Sequence, residues 1–100
     1  MVFRINYSKV ISQANAISAN ADELAAQIRM LDQIEQECRR CWKGQAADVF
    51  ITKLHTLRNE MNRTRTQMSN LSSTIKCCAD KIKKEDRESA ERAAILSNGH

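Results

Sequence analysis

From Val10 onward, apolar or small side chains return at alternating steps of four and three: Val10, Ala14, Ile17, Ala21, Leu24, Ile28 and Leu31. That alternation holds a stripe on one face of an α-helix. It is followed further through Ile34, Cys38 and either Cys41 or Trp42, with one extra step of three at Ile34 that turns it slightly. A second run is more regular. Phe50, Leu54, Leu57, Met61, Thr64, Met68, Leu71, Ile75, Cys78 and Ile82 alternate by four and three throughout, and only Thr64 is polar.

Between the two runs lies Gly44, which reaches the left-handed backbone region without a Cβ clash and so ends the first helix. At the start, Asn6 or Ser8 supplies a side-chain oxygen to cap the first turn. The pattern predicts a helix over about 7–42, a turn over 43–46 and a helix over about 47–86. The final "ERAAILSNGH" carries no strong stripe and is expected to be a mobile tail. A short connection makes the two helices antiparallel neighbours.

The expected fold is therefore an all-α, antiparallel helix-turn-helix hairpin filling residues 1–100 as one domain. A lone hairpin buries only one stripe per helix. Two hairpins bury more, so the expected working unit is a dimeric four-helix bundle, with Ile17, Leu24, Ile28, Leu31, Leu54, Leu57, Met61, Met68, Leu71 and Ile75 at its interfaces. Composition agrees: the chain has no Pro, two Gly and four aromatic residues, which suits long helices and not a sheet.

The net charge of +4 is interleaved along the chain, as on solvated helix faces. The basic stretch "RNEMNRTRTQ" carries Arg58, Arg63 and Arg65 but no aromatic residue on which a base could stack, and long antiparallel helices differ from the short crossed helices that read DNA. No nucleic-acid partner is expected. Membrane action fits poorly too, because the stripes are rich in Ala, Thr and Cys and lack interfacial aromatic anchors. "MVFRINYSKVISQ" contains no signal-peptide core.

Catalysis needs convergent groups, and the spacing offers none. His55 and His100 have no nucleophile partner, and no Gly-rich phosphate loop exists. No enzyme, cofactor or metal site is expected. The four cysteines form a C-x-x-C, Cys38 and Cys41, and a vicinal pair, Cys77 and Cys78. Within one hairpin the pairs stand roughly 40 Å apart along the helices, too far for a shared zinc ion. Two hairpins with turns at opposite ends would bring them near one another, allowing intermolecular thiol chemistry. Otherwise Cys38 and Cys78 occupy stripe positions as small hydrophobes.

Trp42, Gly44, Ala46 and Phe50 spell W-x-G-x-A-x-x-x-F at the midpoint of about a hundred residues. With two amphipathic helices around it, the chain resembles the WXG100 (ESAT-6-like) family. The resemblance implies a helical hairpin that pairs with itself or a relative. It further implies export by a bacterial type VII secretion system: cytoplasmic first, then secreted without an N-terminal signal peptide, with Trp42 presented to the secretion ATPase in some systems. It also implies a C-terminal export signal, whose spacing Ile82, Asp86, Ser89 and Ala93 follow with Ser89 a poor third member. The Tyr-x-x-x-acid form is absent, the only tyrosine being Tyr7. Two roles then compete: a self-associating secreted substrate, or an adaptor for the N-terminal helical domain of a larger toxin, which the basic charge slightly favours.

Overall fold

The computed structural model describes residues 6–98, with side chains to Ser97. The first five residues, read above for a signal-peptide core, and Gly99 and His100 lie outside the described part. Two helices account for almost all of it: α1, Tyr7–Cys41, and α2, Gln45–Asn98.

Local chemistry sets the boundaries. The Asn6 side chain accepts the Lys9 N–H at 3.0 Å, capping a donor that α1 cannot satisfy internally. At the other end Trp42 turns extended, and its N–H still donates to the Cys38 carbonyl at 2.9 Å. Gly44 then takes φ +113°, a conformation in which a Cβ is strained. Its carbonyl accepts the Asp48 N–H at 3.0 Å, which opens α2. Arg39 and Arg40 in the last turn of α1 and Asp48 in the first turn of α2 suit the helix dipoles.

α2 runs to Asn98, twelve residues past the predicted end near 86. The cause is local: "RESAERAAILSN" holds no Gly or Pro, and Ala, Glu, Arg and Leu are strong helix formers. A missing stripe shows that a segment has no packing partner; it does not unwind a segment of high propensity.

The helices pack antiparallel, Ser72 opposite Ala14 and Asp86 opposite Tyr7. On α1 the buried positions are Ala14, Ala21, Ile28 and Glu35, spaced by seven. The strict alternation thus continues from Leu31 to Glu35, and Ile34 is left exposed instead of carrying the stripe. On α2 the inward line is Ala47, Ile51, Leu54, Arg58, Met61, Arg65, Met68, Ser72, Ile75 and Ala79, each buried or half-buried. It shares Leu54, Met61, Met68 and Ile75 with the predicted stripe. Phe50, Leu57, Thr64, Leu71 and Cys78, one residue off that line, are exposed.

The physical reason is size. Ala14, Ala21, Ala47, Ser72 and Ala79 let the two backbones approach closely, and the Ser72 hydroxyl donates to the Ala14 carbonyl across the seam at 2.7 Å. Small and polar residues therefore share the line facing α1 with Ile51, Leu54, Met61, Met68 and Ile75, while Phe50, Leu57 and Leu71 beside it point outward. The result is a rod of 86 × 16 × 16 Å. Its buried apolar residues among those described are two isoleucines and four alanines, and no large side chain is fully enclosed.

Candidate interaction surface

Four cross-hairpin contacts set the level of each residue along the rod: Trp42 with Phe50, Arg58 with Asp32 and Glu35, Ser72 with Ala14, and Tyr7 with Asp86. Phe50, Leu57, Thr64, Leu71 and Cys78 follow one another at intervals of seven on α2, as do Gln13, Asn20, Gln27, Ile34 and Cys41 on α1, and all are exposed. All ten flank the seam on one side. This apolar flank exposes Phe50, Leu57 and Leu71 on α2 and Met30 and Ile34 on α1. Met30, Ile34, Glu37 and Cys38 also line an open concavity of about 500 Å³ there.

The opposite flank is polar and holds a charge cluster. Glu35 sits in the seam with its side chain only 9% exposed, and Arg58 reaches it at 3.4 Å while also donating to Asp32. Arg39 approaches Glu35 at 3.8 Å. His55 accepts through Nδ1 from Arg58 at 2.9 Å, and the same Nδ1 stands 3.5 Å from Glu35 Oε1, a buried oxygen without a hydrogen bond. Hydropathy missed this cluster because its members are charged. Carrying the four-three phase strictly past Leu31 would have put Glu35 inward. Arg58, read earlier as part of a basic stretch, is held by carboxylates, and Arg65 is half-buried in the seam.

At the turn, the Trp42 and Phe50 rings meet with centroids 5.5 Å apart and a 50° tilt, each residue still 43% exposed. With Val49 they form an apolar tip. Ala46 of the motif is exposed, and its neighbour Ala47 is the one buried against α1. Gly44 has nothing within 4 Å of a built Cβ, so its value lies in the backbone angle alone.

Of the export-signal positions, Ile82 is at the edge of exposure, and Ser89 and Ala93 are exposed. Asp86 accepts a hydrogen bond from the Tyr7 hydroxyl, which raises the Tyr7 pKa above its ordinary value, with burial and the Asp86 charge adding to the effect. The one tyrosine thus meets the acidic residue across the hairpin and not along the chain. The stripe positions expected at bundle interfaces divide. Ile28 is buried; Ile17, Leu24, Leu31, Leu54, Met61, Met68 and Ile75 are half-buried; Leu57 and Leu71 are exposed.

All four cysteines are free thiols. Cys38 is half-buried, and Cys41, Cys77 and Cys78 are exposed, so Cys78 is not the buried hydrophobe expected. Ile75 and Ala79 take the inward places on either side of it. Among the described residues no group of three or more His, Cys, Asp or Glu is placed to hold a metal ion, and no helix is long and apolar enough to cross a membrane.

A two-helix rod with a W-x-G turn at its midpoint defines a small all-α helical-hairpin protein. The family model for WXG100, proteins of 100 residues with WXG, matches residues 2–87, and the chain belongs to that family. Its members are small non-enzymatic substrates of type VII secretion that typically pair with each other or with related proteins. No curated protein and no solved structure matches the chain. The matched span closes where Asp86 meets Tyr7, leaving the last turns of α2 outside it.

Proposed function

We propose that this chain is a type VII secretion substrate that works through helix–helix association, as one half of a four-helix bundle. The observation that carries the reading is the imbalance of burial. The hairpin encloses two isoleucines and four alanines, while ten large hydrophobic residues from Met30 to Leu96 stay substantially exposed. At about 1.5–3 kcal/mol for each large apolar side chain moved from water to a packed interior, the outer surface holds more unused burial than the core has gained.

The exposed tip of Trp42, Val49 and Phe50 supports a second role for the turn, recognition by the secretion ATPase before export. The exposed helical end, with Ile82 and Ala93 at its surface and Asp86 bonded to Tyr7, supports the same role.

Absolute mass by light scattering, on the purified protein under reducing conditions, tests this reading. The expected value is twice the 11.4 kDa chain mass. A monomer that doubles in mass only on adding a related hairpin or a toxin's helical domain would move the adaptor role into its place.

A further inference from the structure

Cys38 and Cys41 stand on the last turn of α1, three residues apart, and both are free thiols. Cys41 is exposed and Cys38 half-buried. The final carbonyls of a helix have no helical N–H left to accept, and groups at or beside the pair serve them here. The Trp42 N–H donates to the Cys38 carbonyl at 2.9 Å, and the Lys43 ammonium reaches the Arg39 carbonyl at 3.5 Å. The Cys41 thiol adds a bond to the Glu37 carbonyl at 2.7 Å.

We propose that Cys38 and Cys41 are a dithiol site whose substrate is a small-molecule disulfide, and that closing the pair resets the Trp42 tip. The exposed Cys41 thiolate attacks one sulfur of R–S–S–R, forming a mixed disulfide and expelling one R–S⁻. The Cys38 thiolate then attacks the Cys41 sulfur, forming the Cys38–Cys41 bond and expelling the second R–S⁻. Two electrons pass from the protein sulfurs to the small disulfide, which leaves as two R–SH carrying the two thiol protons. The step needs no partner chain.

Geometry couples this chemistry to the turn. Cβ atoms three residues apart on a helix stand about 5–6 Å from each other, whereas a disulfide holds them at about 3.5–4.5 Å. In the middle of a helix the backbone resists that contraction. Cys41 is the last residue of α1 and Trp42 after it is already extended, so the last turn yields. Contraction draws the Trp42 N–H away from the Cys38 carbonyl, and the thiol proton that reached Glu37 is gone. Trp42 thereby loses the backbone bond that sets its ring 5.5 Å from Phe50. Strain and exposure also make such a bond labile toward thiols.

Cys77 and Cys78 provide a comparison within the same chain. Both are exposed, but they are consecutive residues deep inside α2, where successive side chains diverge by about 100°. No helix end lies near them, so they do not close on one another. The tip therefore has one shape in reducing surroundings and another in oxidising ones. That difference bears on export through the recognition reading above; the thiol chemistry stands without it.

The test takes the reduced full chain into glutathione disulfide, alkylates the thiols that remain and maps them by mass spectrometry. Emission of Trp42, the only tryptophan, is followed throughout. The expected product has Cys38 and Cys41 joined within one chain, with alkyl groups or glutathione on Cys77 and Cys78. Trp42 emission is expected to shift to the red as the ring leaves Phe50 for water, and excess reduced glutathione to reverse both changes. Cys41→Ser alters an exposed side chain, so helix content by circular dichroism stays native while the bond and the shift are both lost. Cys77→Ser with Cys78→Ser keeps both. Chains cross-linked through Cys38 or Cys41, or glutathione retained on either, overturn the site. A Cys38–Cys41 bond that leaves Trp42 emission unmoved overturns its coupling to the tip. Neither result touches the proposed pairing of hairpins.

Discussion

Glu35 and Arg58 are the two residues whose placement matters most for the stability of the hairpin itself. Each occupies a seam position, with side chains 9% and 17% exposed, and each neutralises the other. Removing one partner strands a charge in low dielectric, whereas replacing both with packed apolar groups removes the cost of desolvation too. Arg58→Met is therefore expected to cost about 3 kcal/mol. Glu35→Leu combined with Arg58→Leu is expected to restore stability to within about 1 kcal/mol of native or to exceed it. Urea unfolding at fixed protein concentration measures both, and a double variant as unstable as the single one would contradict the argument. Tyr7 offers a cleaner optical test. Its folded pKa is raised, mainly by the hydrogen bond to Asp86, so the neutral phenol is the stabilised form. The contribution is complete below the ordinary tyrosine value of 10.0 and is lost as pH rises through the higher folded value. Because Tyr7 is the only tyrosine, phenolate absorbance titrates this one contact. The midpoint should lie above 10.0 in the native chain and fall toward it in Asp86→Asn.

For the two helices and their turn, the pattern of four and three announced both elements, their antiparallel course and the place where they reverse. The inward face was harder to find. Hydropathy ranks Phe50 and Leu57 above Ala47 and Arg58, yet close approach of two helices selects for small side chains at the contact. Phe50, Leu57 and Leu71 then line the neighbouring face. Leu54, Met61, Met68 and Ile75 were legible because they border both faces. Glu35 was not, because the apolar Ile34 draws the stripe one step early, whereas the phase carried strictly from Leu31 falls on this charged position. The W-x-G motif was legible through its spacing, but the contact of Trp42 with Phe50 needed the turn geometry. Gly44 isolates one part of that geometry. With φ at +113° and open space around a built Cβ, Gly44→Ala and Gly44→Leu should lose similar stability, on the order of 1–2 kcal/mol. Thermal unfolding compares them, and a much larger loss for leucine would mean that side-chain crowding, and not backbone strain, sets the requirement.

At the scale of the whole molecule, one flank is apolar and the other is occupied by charges that satisfy each other. If the hairpin pairs as proposed, burial through this flank favours a closed pair, whereas two sticky flanks would allow a growing stack. The outline of the rod has a practical consequence of a different kind. Its radius of gyration is 23.5 Å, against about 13 Å for a compact domain of this length. Friction on such a shape is set by its long axis, so it diffuses like a considerably heavier sphere. On a sizing column calibrated with globular standards, a lone hairpin would elute early enough to pass for a pair.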